Sequence, residues 1–123
     1  HALGGLVGLD LAAGHADRLL SLTVVNGWAA AHAHTRRCFE SRLMLLAHGG
    51  PQAYVRAQPI FLYPADWLAQ NALRMEREEA HGLEAFQGTA TLRRRIAALL
   101  AFDATARLSG LRTPSLLFAA RDD

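Results

Sequence analysis

Apolar residues at positions 6, 7, 9, 11, 12 and 13 cover nearly every side of a helix that opens the chain. Gly14-His15-Ala16-Asp17-Arg18 then carries the signals of a helix end and the turn after it. Leu20 to Asn26 is rich in β-branched residues and almost continuously apolar at its end, which predicts a strand buried on both faces of a parallel sheet. Asn26-Gly27 stops it with a turn signal. From Trp28 to about Leu108 no strand pattern is found, and helical spacing recurs instead. One helix is expected over His34 to His48, with Thr35 as a candidate cap. Gly49-Gly50 breaks it, and Pro51 suits the first turn of the next, which runs to about Ala57 and ends at Gln58-Pro59. Further helices are expected from Tyr63 to about Met75, from Glu76 to Phe86, and, past Gly88, from Thr91 to Phe102. A short one follows over Asp103 to Leu108. Ser115 to Ala120 predicts a second buried strand, preceded by Pro114, which costs no ladder donor there, and followed by Arg121-Asp122-Asp123.

The residues in front of the first helix carry the candidate chemistry. His1-Ala2-Leu3-Gly4-Gly5 has the pattern of the downstream half of a nucleophile elbow, where a strand bends sharply into a helix and presents one side chain above a sheet. Glycine suits such a turn because the backbone bends tightly and the new helix lies close to the strand behind it. The presented residue is Ala2, which has no hydroxyl, thiol or carboxylate. This is an elbow without its nucleophile.

Composition narrows the classes rather than naming one. A chain of 123 residues with 51% hydrophobic and 20% charged residues is one globular domain's worth of chain, with enough apolar surface for a core. No apolar stretch reaches the roughly 20 residues of a membrane helix, and no signal peptide opens the chain. The lone Cys38 cannot form an internal disulfide and reads as a packing residue, so the expected compartment is the cytoplasm. Net charge is only +2, every basic residue is Arg, and Arg93-Arg94-Arg95 has Glu76, Glu78, Glu79 and Glu84 nearby in sequence. That run reads as a solvated helix face, so nucleic acid is not an expected partner. The histidines and acids lack ligand spacing, so no metal and no cofactor are expected.

The order of elbow, helix, strand, helical insert, strand and acids is similar to the α/β-hydrolase fold. The chain resembles more closely the pyrimidine-utilisation protein D family, described as an aminoacrylate or carbamate hydrolase of uracil breakdown. The stretches that carry the likeness are His1-Ala2-Leu3-Gly4, Val25-Asn26-Gly27-Trp28, His34-Thr35-Arg36-Arg37-Cys38-Phe39, Gly49 to Val55, Ala57 to Trp67, and Phe86-Gln87-Gly88. The resemblance implies an α/β fold divided into residues 1–28 as part of the hydrolase core, 29–108 as a helical cap, and 109–123 as a core strand with its acid. It places Ala2 at the nucleophile position, where family members can carry Ala. Leu3 would give one oxyanion-hole backbone N–H, and Asp123, in preference to Asp122, would be the acid that orients the catalytic His. None of the six histidines occupies that His position, and the strand before the elbow and the second oxyanion donor are also missing. An internal fragment of a longer hydrolase, inactive by itself, is therefore expected.

With no nucleophile the acyl-enzyme route is closed, and what the resemblance leaves is water activated by a His–Asp pair beside an oxyanion hole. An enamine such as 3-aminoacrylate needs only tautomerisation and addition of water before ammonia leaves, and carbamate falls apart after a proton transfer. The implied substrate is small and anionic, so Arg36 or Arg37 is a candidate for its carboxylate. Trp28, Tyr63 and Trp67 are candidate contacts, with cap packing as their other reading. Two alternatives stand beside this one. The first is an ester or C–C hydrolase with Ala2 engineered, and the second is a non-catalytic hydrolase fold that binds a small acid or a partner protein. The oligomeric state is left open, a homodimer included.

Overall fold

The structure, a computed structural model, describes residues 1–120; Arg121, Asp122 and Asp123 lie outside the described residues. The chain divides into two compact units, one of residues 1–32 and 98–123, the other of residues 33–97.

The first unit is built on a parallel pair of strands, β1 (Leu22–Val25) and β2 (Ser115–Phe118), with Leu22 opposite Ser115 and Val25 opposite Phe118. Helix α1 (Leu3–Gly14) lies against β1. It can come close because two of its glycines meet the strand: a Cβ on Gly5 would lie 2.9 Å from Val24 Cγ1, and one on Gly8 2.7 Å from Leu22 Cδ1. Leu9, Ala12, Leu22 and Val24 form the buried cluster between them, with Leu19, Phe102 and Leu111 packed at its margin. Residues 105–110 form a 3-10 turn against α1, where Arg107 pairs with Asp10 at 2.6 Å on the surface.

Burial departs from the periodicity reading in three places. Helix α1 is buried along one stripe, Gly5, Leu6, Leu9 and Ala12, the side that faces β1, while Val7 and Leu11 are exposed. Strand β1 buries Leu22 and Val24 but exposes Thr23, so one face is covered rather than two. Strand β2 is exposed at all four positions, Phe118 by 54%, and among the described residues β1 is its one strand neighbour. Both strands are also shorter than expected, and Leu20 lies outside β1 almost fully exposed.

The second unit is helical. Helix α2 (Ala33–Ala57) is broken at Gly50, whose φ of 71° and ψ of −170° favour glycine, with Pro51 opening the segment beyond. A 3-10 turn (Gln58–Phe61) ends it at Pro59. Helices α3 (Ala65–Gln70) and α4 (Ala72–Glu84) meet at Asn71, four residues before the division expected near Met75. The reason is local: Asn71 Nδ2 donates to the Trp67 carbonyl at 2.8 Å, taking that acceptor out of the helical ladder. Gly88, at φ 88°, separates α4 from α5 (Thr89–Ala101). Helices α2 and α4 touch at Gly82, where a Cβ would lie 2.9 Å from Val55 Cγ1. Among the described residues no helix is long and apolar enough to cross a membrane.

The start of the 105–110 turn gives a test of local electrostatics. The Asp103 carboxylate accepts hydrogen bonds from the Thr105 side chain and from its backbone N–H, the latter at 2.8 Å, and these hold its carboxyl below the usual carboxylate range. A depressed folded value means that this contribution is present above the unfolded carboxylate's range and lost as pH falls through the folded value. The 13C-carboxyl titration of Asp103 is therefore expected to have its midpoint below about 3.9, the model-peptide value. A midpoint at or above that value contradicts the geometry.

Candidate active site

The candidate elbow residue, Ala2, has a strained backbone although its side chain is only a methyl group. Ala2 has φ 44° and ψ −120°, a region that a non-glycine residue enters at a cost of about 1–3 kcal/mol and that clusters at functional turns. Three hydrogen bonds hold it there. Its N–H donates to the Val25 carbonyl at 3.0 Å, fixing it beside the end of β1, and its carbonyl accepts from Gly5 N–H at 2.8 Å and Leu6 N–H at 3.3 Å, starting α1. Leu3 is the first residue of that helix, and among the described residues its N–H has no acceptor. An unpartnered N–H at the positive end of a helix can hold an oxygen that gains negative charge. The methyl of Ala2 can neither attack nor donate.

The end of β1 is the second part of the site. Asn26 is the other non-glycine residue with positive φ, 49°, and its N–H donates to the Phe118 carbonyl at 2.9 Å. Its side-chain oxygen accepts from the Ala120 N–H at 3.2 Å. Trp28 follows in the loop and is half-buried. Asp123, the expected acid, lies outside the described residues.

The remaining candidates belong to the helical unit. Arg36 and Arg37 are exposed on the first turns of α2, and among the described residues neither takes part in an ion pair. Tyr63 and Trp67 stack with ring centroids 4.3 Å apart, and the Arg74 guanidinium covers the Trp67 ring at 5.3 Å. Arg74 also donates to Glu78 at 2.8 Å, which raises its pKa, and Tyr63 Oη reaches Glu78 at 3.4 Å. A cavity of about 360 Å³ opens in this unit; Tyr63 is on its wall, while Arg36, Arg37 and Trp67 are not. Its polar lining comes from Glu78, Glu79, Gln58, Gln87 and Arg95, the last bonded to Gln87 at 2.8 Å.

Arg42 is the residue that the sequence pattern missed. Its guanidinium is half-buried over three rings, Phe39 at 5.0 Å, Tyr54 at 5.4 Å and Phe61 at 5.7 Å. It donates to Tyr54 Oη at 3.0 Å and to Gln58 Oε1, and both partners line the cavity. Cation–π contact and two hydrogen bonds thus replace a carboxylate partner, and the arginine sets the cavity wall. Among the described residues no three His, Cys, Asp or Glu side chains are grouped to hold a metal ion.

No family model matches the chain. It is 52% identical over 123 residues to a protein of Azorhizobium caulinodans named "Putative carbamate hydrolase RutD", covering 100% of this chain and 46% of that one. It is 54% identical over the same span to the proteins of that name from Stutzerimonas stutzeri and Caulobacter vibrioides, covering 46% of each. The chain therefore spans about half the length of the curated relatives it matches. Among solved structures, the enol-lactonase from Burkholderia xenovorans LB400 aligns with a TM-score of 0.70 at 24% identity, covering 94% of this chain and 43% of that one. That likeness shows the fold.

Proposed function

We infer, from a chain that has the α/β-hydrolase fold and is matched from end to end by carbamate hydrolase RutD relatives, that it is the elbow-and-cap segment of a C–N hydrolase of that family. The observation that carries the reading is Ala2, held at φ 44° at the apex of the elbow with no group that could form an acyl-enzyme. A scaffold that keeps the strained turn without the nucleophile suits a reaction in which water is the reactant and the turn supplies an oxyanion donor.

The substrate is a small anion that releases ammonia in the breakdown of pyrimidines, 3-aminoacrylate or carbamate. 3-Aminoacrylate takes a proton at carbon and gives one up from nitrogen to become the imine, adds water across C=N, and expels ammonia from the resulting carbinolamine to leave the semialdehyde. Carbamate takes a proton at nitrogen and parts into ammonia and carbon dioxide. Leu3 N–H is the oxyanion donor and Asp123 the acid that orients a histidine contributed from outside this chain. Arg36 or Arg37, exposed and without an acidic partner among the described residues, meets the substrate carboxylate. Trp28, Tyr63 and Trp67 supply its apolar surroundings. The segment by itself lacks the histidine and is inactive, and the whole enzyme works in the cytoplasm, with a homodimer as its candidate assembly.

The test is ammonia release from freshly generated 3-aminoacrylate, and separately from carbamate, with the whole protein that carries this segment. Acceleration of one of them over the buffer rate is the expected result. Rates equal to buffer for both substrates would remove the hydrolase reading and leave a binding protein.

A further inference from the structure

The cavity of the helical unit, about 360 Å³, is walled wholly by residues between 54 and 95. Leu62, Phe86 and Leu92 give it apolar surface, and most of its polar groups are engaged with partners. Gln58 Oε1 accepts from Arg42, Arg95 donates to Gln87 at 2.8 Å, and Glu78 accepts from Arg74 at 2.8 Å and from Tyr63 Oη at 3.4 Å. Glu79 is the exception. Of the four acids on α4, Glu76, Glu78 and Glu84 are exposed, and Glu79, on the cavity wall, is half-buried. Among the described residues no hydrogen bond or ion pair reaches its carboxylate. Its own helix supplies no partner, because the positions three and four residues away hold Met75, Glu76, Gly82 and Leu83, none of them a cation.

A carboxylate drawn partly out of water without a partner carries a cost that an arriving cation relieves. The volume is within the range of small-molecule sites, about 300–1,000 Å³, which combine an apolar wall with a few orienting polar groups. Arg95 is already held by Gln87, so the unmatched charge on this wall is negative. A primary ammonium brings three donors to such a carboxylate, and a short hydrocarbon body suits the apolar side. We propose that the cavity is a binding site for a small primary amine, its ammonium held by Glu79 and its hydrocarbon chain laid against Leu62, Phe86 and Leu92. Neither Ala2 nor Leu3 lines it, so it is a second site in addition to the elbow.

Hexylamine tests this by calorimetry on the whole protein that carries this segment, with hexan-1-ol as the neutral chain of the same length. Hexylamine is expected to bind with a Kd of about 1 mM or below, which is within reach of a ligand of its size. Hexan-1-ol is expected to bind about 10-fold more weakly or worse, as loss of a charged hydrogen bond implies. Glu79→Gln keeps the shape and removes the charge; it is expected to weaken hexylamine about 10-fold or more and to leave hexan-1-ol within about 2-fold. Glu76→Gln removes the same charge from an exposed position of α4 and is expected to leave both affinities unchanged. In the wild-type protein the amide signals of Gly82 and Phe86, both on the wall, are expected to shift as hexylamine is added. No binding of hexylamine overturns the proposal, and so do equal affinities for amine and alcohol. Equal losses in the Glu79 and Glu76 variants overturn it as well, since the amine would then follow the acidic surface of α4 as a whole. Signal shifts confined to residues off the wall place the amine elsewhere and overturn it too. Binding is read directly, so the outcome is separate from whether the protein releases ammonia.

Discussion

Gly5→Ala is expected to destabilise the protein by about 1–3 kcal/mol, the cost of forcing extra volume into a packed contact. The same change one residue earlier, Gly4→Ala, is expected to be neutral or to stabilise by up to about 1 kcal/mol. Both glycines are in the first turn of α1, so helix propensity favours alanine at both. What separates them is what the new methyl meets. At Gly5 it would lie 2.9 Å from Val24 Cγ1, with the Gly27 backbone at 3.9 Å behind it. Val24 is 3% exposed, and a β-branched side chain is restricted at χ1, so it yields less readily than the end of a leucine would. At Gly4 nothing lies within 4 Å. Thermal unfolding of the two variants in the whole protein checks this, since each kcal/mol moves Tm by roughly 2–4 °C in a domain of 150–250 residues. Equal Tm values would mean that α1 sits farther from β1 than described. The contact matters for the site because β1 carries the Val25 carbonyl that holds Ala2 in its turn.

That turn was readable from residue types. Glycines after a small residue predicted a tight turn into a helix, and Ala2 has a strained backbone at the start of α1. The break of α2 at Gly50, the division at Gly88 and the places of both strands were readable too, because glycine, proline and β-branched residues act locally. Burial was not readable to the same degree. A run such as Ser115-Leu116-Leu117-Phe118 states that a strand prefers apolar neighbours, but not which elements supply them, and here β2 is exposed. The helix boundary at Asn71 turned on one side-chain hydrogen bond that competes with helical spacing without altering it. Arg42 was hidden for a different reason. Its surroundings come from residues 39, 54, 58 and 61, and only Phe39 stands at helical spacing from it. The run Arg36-Arg37 looked the better cation because it is conspicuous in sequence, whereas Arg42 is the arginine among these that the fold surrounds with partners.

Asp123→Asn is expected to lower ammonia release by about 10²- to 10⁴-fold, the range over which a positioned acid–base group contributes to a reaction of this kind. The carboxylate has two tasks in such a pair: it accepts the imidazole N–H that fixes the tautomer, and it stabilises the imidazolium formed when the ring takes a proton from water. An asparagine side chain keeps the shape but can present its NH2 to the ring, reversing the tautomer, and it carries no charge. Ala2 offers no nucleophile, so on the proposed reading of 3-aminoacrylate no acyl-enzyme route shares the burden and the loss falls on the activation of water. Asp122→Asn is the matched control: it removes the same charge one residue nearer β2 and is expected to leave the rate close to unchanged. Loss in the Asp122 variant with none in the Asp123 variant would move the acid by one residue and leave the mechanism standing. Full activity in both would mean that the reaction proceeds without a carboxylate–histidine pair, and the turn at Ala2 would then act through the Leu3 N–H alone.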